Sequence, residues 1–431
     1  MKVLVLGAGG FIGGGIAARL AADGHDVIGG ARTPESARRR LPGWRWVAAD
    51  FAQLQTAGAW LPLLRGVDAV VNCVGALQDG HGESLSVAHE SGPAALFEAC
   101  EIAGIKRVIH ISAVGADAAA GTAYALSKLR TEEMLAASHL DWIALRPSLV
   151  VAREVYGGTA LMRGLAGFPF LIPVVGGDAH FRPVALGDLA VVVSKLLEPG
   201  ALSARVVEVV GPDLLSLREL LTAWRGWLGL PPAPTVDIPS WMAWPMVKLG
   251  DLAAWLGWPS SLRTTSLRQM NYGAAGDPAG VESLGNLSVG RFADHLAAEP
   301  AGVQDRWHAR LYFVRPLGVV VLAAYWITVG ALGFGPARGG AIALLEEAGF
   351  GASASMVSDV FHGFDLALGL ALVVRRWAQP VAVLMALVCI GYLVTATALL
   401  PRLWVDPTAP WLKILPVIML TLFVAATDDR R

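Results

Sequence analysis

The sequence predicts an α/β protein, a doubly wound parallel sheet, followed by an all-α transmembrane four-helix bundle. Three observations predict it. Short apolar strands alternate with alanine-rich helical stretches over the first two thirds of the chain. A glycine-rich turn stands between the first strand and the first helix. The last third consists largely of long apolar runs. The composition agrees. The chain has 431 residues, enough for two or three domains at about 150 residues each. It is 55% hydrophobic and only 16% charged, against about 25% in soluble domains, so part of it is expected to face lipid. A net charge of −1 gives no global attraction for nucleic acid, and none is expected as a partner. Cys73, Cys100 and Cys389 are dispersed and odd in number, so neither a disulfide framework nor a metal site is expected.

The opening run MKVLVLGAGGFIGGG is too short and too glycine-rich for a signal peptide and reads as a strand over residues 3–6, which implies a cytoplasmic N-terminal domain. Further strands are expected at 26–28, 69–72, 107–111 and 142–146, with a late one at 206–210 that Gly211-Pro212 ends before a helix over 214–228. The stretch 241–258 is rich in tryptophan and poor in charge. Trp241, Trp244, Trp255 and Trp258 suit either an interface-seeking amphipathic helix or a packing surface between domains. Residues 272–302, rich in Gly, Ala and Pro, read as a linker with one short helix. These signals divide the chain into a nucleotide-binding domain at 1–215, with substrate-pocket insertions from about 151, a connector at 216–304 and a membrane domain at 305–431.

Four membrane helices are expected, at about 316–334, 358–376, 380–400 and 411–427. Arg306, Arg310 and Arg315 precede the first, Arg375 and Arg376 follow the second, and Arg430 and Arg431 follow the fourth. Arg338, Glu346, Glu347, Arg402 and Asp406 fall on the other side. Basic loops stay in the cytoplasm, so four spans put the N-terminal domain and the C-terminus on the cytoplasmic side of the inner membrane.

Gly7-Ala8-Gly9-Gly10-Phe11-Ile12-Gly13 follows the first strand and opens the first helix. Glycines at 7, 10 and 13 permit a tight turn, a close approach of backbone to a pyrophosphate, and close helix–strand packing, while the helix N-terminus offers N–H groups to the phosphates. In that context the pattern is the Rossmann dinucleotide fingerprint, and Gly7, Gly9, Gly10, Phe11, Ile12 and Gly13 are candidate cofactor contacts. The second strand ends Gly29-Gly30-Ala31-Arg32, with no acid to bond a ribose 2′-hydroxyl. Arg32 suits a 2′-phosphate instead, so NADP(H) is favoured over NAD(H). Asp50-Phe51, after the third strand, can bond and cover the adenine; Asp50 can equally cap a helix.

Ser112 follows the fifth strand, and Tyr124-Ala125-Leu126-Ser127-Lys128 follows twelve positions later. Tyr124 and Lys128, four apart, share a helix face, where an ammonium is expected to lower the phenol's pKa and let it exchange a proton with a substrate oxygen. Ser112 would hold that oxygen.

The stretches VLVLGAGGFIG, HDVIGGAR, VVNCVGAL, VIHISAVGAD, YALSK, LRPSLV and FRPVALGDLA, spanning about residues 1–215, resemble the short-chain dehydrogenase/reductase superfamily. The likeness is to its atypical branch, with the NmrA-like proteins and the NADPH-binding subunit of respiratory complex I. It implies Tyr124 as acid/base, Lys128 as its partner and ribose contact, Ser112 as the orienting hydroxyl, Asn72 in the catalytic set, and Val74, Gly75, Pro147 and Ser148 around the nicotinamide. Cys73-Val74 stands where many relatives carry Ala-Ala, and atypical members often keep the cofactor and lose catalysis. From about residue 305 the chain resembles the DoxX-like four-helix membrane family in hydropathy and length, which links it to respiratory and quinone-associated systems. Asp359, His362 and Asp365 share one helix face at three-residue spacing; they either serve a function within the membrane or mark the aqueous start of their span.

The leading expectation is a membrane-anchored NADP(H)-dependent oxidoreductase acting on an apolar carbonyl or alcohol, with the apolar segment 151–177 lining the pocket. The alternatives are a cofactor-binding sensor or assembly module of a respiratory membrane system, and an epimerase or dehydratase using bound cofactor transiently.

Overall fold

The computed structural model describes residues 1–80, 84–258, 260–285 and 287–428. Arg430 and Arg431, used above to orient the last span, lie outside the described residues. The chain forms two compact units: Met1–Asp251 with Ser260–Ala309, and Leu252–Pro259 with Arg310–Arg431. Residues 216–251 and 260–304, read from sequence as a connector, fall within the first unit.

Seven strands build the first unit's main sheet: β1 (Lys2–Leu6), β2 (Asp26–Ala31), β3 (Arg45–Ala48), β4 (Ala69–Asn72), β5 (Arg107–Ile111), β6 (Trp142–Pro147) and β7 (Arg205–Val209). Their order is β7-β6-β5-β4-β1-β2-β3, every neighbouring pair parallel. Strand order reverses between β1 and β4, which opens a crevice at their carboxyl ends. The inner strands are buried on both faces, and for that reason read as continuous apolar runs. Helices α1 (Phe11–Ala22), α2 (Pro34–Arg40), α3 (Ala57–Leu64), α4 (Gly92–Ala103) and α5 (Ala123–Ala136) make the crossovers. Val3, Val5, Ile109 and Ile143 point to one core with Ile16 and Leu20 of α1; Leu4, Leu6, Val70 and Val108 point to the other with Trp60 of α3 and Leu96 of α4.

Helices α6 (Gly158–Ala166), α7 (Leu186–Lys195) and α8 (Leu217–Trp227) follow. A capping box at Ser216 and Glu219 starts α8. Met162 and Ala166 of α6 and Ile172 and Val174 pack with Leu220, Leu221 and Trp224 of α8 in a third core. Then come α9 (Ser240–Trp255), α10 (Thr264–Tyr272), α11 (Ala279–Glu282) and α12 (Phe292–Ala298).

The stretch 272–302 differs from the expected linker. It carries two short helices and packs on the sheet edge, where Asp277 N–H donates to Glu208 at 2.5 Å and Val281 is buried. Its glycines allow the approach: a Cβ at Gly280 would stand 2.4 Å from the Glu208 carbonyl oxygen. Glycine richness here reflects close packing and not a free tether.

The second unit is all helical: the later part of α13 (Val303–Gly333), then α14 (Arg338–Glu347), α15 (Ala354–Val373), α16 (Arg375–Leu399) and α17 (Ile414–Thr427). Among the described residues, three segments are long and apolar enough to cross a membrane: Val303–Gly333, Gly351–Val373 and Arg375–Leu399. The expected fourth span is realised as α17, 14 residues and so about 21 Å long, short of a bilayer core of about 30 Å. The short helix α14 between the first two spans was not foreseen. Small residues bring helices together: a Cβ at Gly330 would stand 2.6 Å from the Leu366 backbone nitrogen, and one at Gly369 would stand 2.8 Å from that of Ile327. Asp428 pairs with Arg315 at 3.0 Å and with Arg375, so the end of α17 and the start of α16 meet the Arg315 level of α13. At the other ends Arg338 pairs with Asp359 at 2.9 Å and Arg402 pairs with Glu347. Asp359, His362 and Asp365 therefore take three different partners, since Asp365 accepts from the Tyr392 hydroxyl at 3.0 Å and His362 donates to the Ser358 carbonyl at 2.7 Å.

Candidate functional site

The glycine turn has the conformation its sequence requires. Gly7 adopts φ +75°, the left-handed region in which a side chain is strained, and its N–H donates to Gly30 O at 3.0 Å. Gly10 closes the turn by donating to Gly7 O at 2.9 Å and stands at the start of α1. A Cβ on Gly13 would stand 2.3 Å from Gly7 O, so only glycine lets α1 pack on β1. Gly9 is more open, the nearest atoms to its would-be Cβ being Arg40 Nη2 at 3.7 Å and Ala31 Cβ at 3.9 Å. This cradle fits a diphosphate: free backbone at the N-terminus of a 12-residue helix, with no side chain in the way. Phe11 and Ile12 lie partly buried against the first core, and the Phe11 ring stacks on Tyr156 at 6.5 Å.

The crevice continues to the end of β4. Asn72 is fully buried; its amide lies 3.3 Å from His110 Nδ1, and its carbonyl accepts the Val74 N–H at 3.1 Å. Asn72 thereby shapes the turn Cys73-Val74-Gly75. A Cβ on Gly7 would touch the Cys73 carbonyl at 3.1 Å, and one on Gly75 would stand 3.4 Å from both His89 Nε2 and Lys128 Nζ. Glycine turn, β4 turn and Lys128 thus form one continuous wall.

Tyr124 and Lys128 sit on α5, whose N-cap Thr122 accepts the Ala125 N–H at 3.1 Å. Lys128 is buried and donates to the Ile111 carbonyl at 3.0 Å. Burial pulls its ammonium down to about 8, against the opposing pull of Glu132. Tyr124 departs from expectation in direction. Burial pushes its phenol up to about 12. Removing the phenolate from water outweighs any help from a lysine whose own charge is poorly solvated and turned to a carbonyl.

Ser112 also departs. Its hydroxyl donates to Glu132 at 2.5 Å, and the same carboxylate takes Arg146 through Nε at 2.9 Å and Nη2 at 2.5 Å. Asp50 caps no helix, since α3 starts after Thr56; its carboxylate closes a local turn, accepting from Ala52 N–H at 3.0 Å and the Gln53 amide at 3.2 Å. Phe51 is corrected outright. It is buried in the second core, edge-on to Trp60 at 5.5 Å and against Gly92, so it cannot cover an adenine. Arg32 is exposed at the end of β2. Pro147 ends β6, and the Ser148 hydroxyl is tied to the Ala274 carbonyl at 2.5 Å.

A cavity of about 300 Å³ lies at the carboxyl ends of β5, β6 and β7, lined by Val114, Asp117, Arg146, Glu208 and Tyr272. The expected apolar wall from 151–177 is not among its lining; Val151, Met162, Ala166, Ile172 and Val174 of that segment are buried in the third core, and Phe170 is exposed. A larger cavity, about 760 Å³ beside α8 and α12, is lined by none of the candidate residues.

Four neighbours escaped the sequence reading. His89, in a π-turn (Val87–Ser91) leading into α4, is fully buried, with Nδ1 2.7 Å from Ser127 Oγ and Nε2 accepting the Ala76 N–H at 3.2 Å. Its ring lies edge-on to Tyr124 at 5.8 Å, and burial holds it neutral, down to about 2. Arg40 reaches Gly9 O at 3.5 Å. Glu132 was legible as the next position in the Tyr124–Lys128 four-residue spacing; His89, Ser127 and Arg40 had no such signal.

The turn, the switch point and the parallel sheet define a Rossmann-type nucleotide-binding domain. Residues 7–165 match the family described as NAD(P)H-binding and residues 323–422 match the DoxX-like family. An uncharacterized protein of Mycobacterium tuberculosis is 27% identical over 236 residues, 54% of this chain and 24% of its own length. The mitochondrial NADH dehydrogenase [ubiquinone] 1 alpha subcomplex subunit 9 of Arabidopsis thaliana is 24% identical over 225 residues, 50% of this chain and 55% of its own. The chain thus spans a quarter to about half the length of these relatives. Among solved structures, MoeE5 in complex with UDP-glucose and NAD shares the fold with a TM-score of 0.53 at 19% identity, over 72% of this chain and 99% of that one.

Proposed function

We propose that the chain is a membrane-anchored NAD(P)-dependent oxidoreductase in which Tyr124 exchanges a proton with the oxygen of an alcohol or carbonyl substrate. The observation that carries the reading is the wall shared by Gly7, Cys73, Gly75 and Lys128, which sets the Tyr–Lys helix face beside the glycine turn. A bound nicotinamide supplies the hydride donor or acceptor. The chain's own residues do the remainder. Backbone N–H groups of the turn hold the diphosphate, and Arg32 pairs with a 2′-phosphate, which favours NADP(H). Lys128 donates to a ribose hydroxyl. Tyr124, whose phenol burial pushes up to about 12, is protonated at neutral pH and in the reducing direction gives that proton to a carbonyl oxygen. The arginine-bearing helix ends face the cytoplasm.

The test is Tyr124→Phe and Lys128→Ala, measured for NADPH oxidation against a carbonyl panel and for NADPH affinity. Turnover lost with binding retained in Tyr124→Phe supports the reading. Full turnover in Tyr124→Phe overturns it.

One observation favours a second reading, a cofactor-binding module of a respiratory membrane assembly. The hydroxyl of Ser112, needed to hold a substrate oxygen, is committed to Glu132. In keeping with this, one relative is named as a subunit of NADH dehydrogenase. On this reading NADPH binds and no substrate of the panel turns over.

A further inference from the structure

The helix α9 carries its apolar residues on the wrong face for a soluble protein. Trp241, Trp244, Met246, Leu249, Leu252 and Trp255 are all exposed, Trp241 by 75% and Trp255 by 76%. At 100° per residue these six cover an arc of about 200°. Val247, Gly250 and Ala254 occupy the opposite side and are buried. That inward side is fixed in place, since a Cβ on Gly250 would collide with the Leu262 carbonyl oxygen. The outward arc therefore belongs outside. Its sequence holds only two charges, Lys248 and Asp251, which pair at 3.8 Å, and the Lys248 ammonium lies over the Trp244 ring at 4.8 Å. Monomeric soluble proteins rarely leave so continuous an apolar surface in water.

The C-terminal end of α9 shows what covers it. Residues Leu252–Pro259 fold with the helical unit. There Trp258 Nε1 donates to the Val373 carbonyl at 2.7 Å, Arg375 N–H donates to Leu256 O at 3.2 Å, and the Arg375 guanidinium lies over the Trp258 ring at 5.1 Å. Val373 ends one membrane-length helix and Arg375 begins the next. The end of α9 is thus bonded to a turn between two spans, at the depth where hydrocarbon gives way to headgroups. Tryptophan, with an apolar ring and an N–H donor, is the side chain that partitions there.

We infer that α9 is an interfacial helix, its Trp241–Leu249–Trp255 face seated in the headgroup and upper acyl region of the same bilayer that the helical unit crosses. This rests on the helical unit being a membrane domain. It gives the chain a second attachment, lying in the membrane plane, besides its spanning helices. A second copy of the chain is the rival occupant; the bonds to the span turn favour lipid.

The test uses the full chain in vesicles of phosphatidylcholine and phosphatidylglycerol. With Cys73, Cys100 and Cys389 replaced by alanine, an environment-sensitive fluorophore is attached to Leu249→Cys or Trp255→Cys, facing out, or to Ala254→Cys, facing in. The outward sites are expected to be quenched by nitroxide-bearing lipid and shielded from aqueous iodide, with blue-shifted emission. The inward site is expected to be shielded from both. Iodide quenching without lipid quenching at Leu249→Cys overturns the inference. So does shielding from both quenchers that vanishes on dilution to one chain per vesicle, which assigns the face to a second copy. The unaltered chain gives an independent readout: a carbene photolabel confined to the acyl phase should mark peptides of 240–256 as well as those of α13, α15 and α16. Labelling of the spans alone overturns the interfacial helix and leaves the membrane domain intact; labelling of neither overturns the membrane reading with it.

Discussion

Replacing Gly13 by alanine tests the glycine turn most directly, because the consequence can be worked from distances. The added Cβ would stand 2.3 Å from Gly7 O, 2.7 Å from Gly7 C and 3.1 Å from Ala8 N, all of them backbone. A carbon–oxygen contact relaxes at about 3.3 Å, so α1 or the turn must move by about 1 Å. Neither can move cheaply. Gly7 is held by its bond to Gly30 O, and α1 buries Ile16, Ala17 and Leu20 in the first core. Overpacking of this kind costs about 1–3 kcal/mol. For a domain of this size that is a fall of roughly 2–12 °C in melting temperature. The same shift turns the amides of the helix N-terminus away from a diphosphate. Losing a single charge-assisted bond, about 1.5–3 kcal/mol, weakens NADPH by roughly 10- to 150-fold. Gly9→Ala is the control. Its Cβ meets nothing closer than 3.7 Å, so the melting temperature should hold while binding falls, because the new methyl group lies against the diphosphate cradle. The assays are thermal unfolding of the detergent-solubilised full chain and NADPH fluorescence titration. If Gly13→Ala melts and binds like the unaltered chain, the turn does not pack as described and the cofactor assignment loses its geometric basis.

Arg32→Ala should weaken NADPH by about 10- to 100-fold while leaving NADH within about twofold, since only a 2′-phosphate meets the guanidinium; equal losses by calorimetry would mean Arg32 does not discriminate. Tyr124→Phe should cut turnover by about 10²- to 10⁴-fold with NADPH affinity unchanged; stopped-flow reduction rates comparable to the unaltered chain would remove Tyr124 from the chemistry. Lys128 gives a pH signature. Its folded-state value near 8 lies below the ordinary 10.5, so between these two values the unfolded chain binds the extra proton and stability rises with pH. Below pH 8 both states are protonated and the full penalty, about 3 kcal/mol, is present. Melting temperatures should therefore climb between pH 8 and about 10.5, and Lys128→Met should flatten that climb; a slope that survives the substitution would locate the titration elsewhere.

The strands were legible because a doubly covered parallel sheet demands continuous apolar runs, and β4 and β5 fall where the sequence put them. The glycine turn was legible because its spacing follows from backbone sterics alone. What escaped was everything set by contacts distant in sequence. Nothing local distinguishes Phe51 as a core ring from Phe51 as an adenine cover; its neighbour Gly92 lies 41 positions on. Arg40 is the last of three consecutive arginines, and only the placement of α2 distinguishes it by aiming it at Gly9. His89 belongs to a π-turn, and one inserted residue redirects a side chain in a way no 3.6-residue periodicity reveals. The glycines of 272–302 looked like a tether because close packing and flexibility leave the same composition. In the helical unit hydropathy found the spans: three coincide with membrane-length helices, and the fourth apolar run is the shorter α17.

The contest between enzyme and binding module comes down to Glu132. A carboxylate buried to 4% exposure must be paired, and it is: Arg146 binds it through Nε and Nη2, and Ser112 donates to it. The arginine alone neutralises the charge, so the Ser112 bond adds saturation that the carboxylate does not strictly require. A substrate oxygen near Ser112 therefore competes with one charge-assisted bond, about 1.5–3 kcal/mol, and not with the ion pair. That cost does not exceed the roughly 10²- to 10⁴-fold gain of a placed proton donor, so the committed Ser112 does not by itself forbid turnover. Glu132→Gln separates the cases. It keeps the shape and weakens the hold on Ser112, so an enzyme limited by that bond should bind substrate more tightly, whereas a pure binding module should show no change beyond the stability lost when Arg146 is left without its partner's charge. A Glu132→Gln chain with reduced turnover and unchanged folding would show instead that the Ser112–Glu132 bond is part of the working geometry.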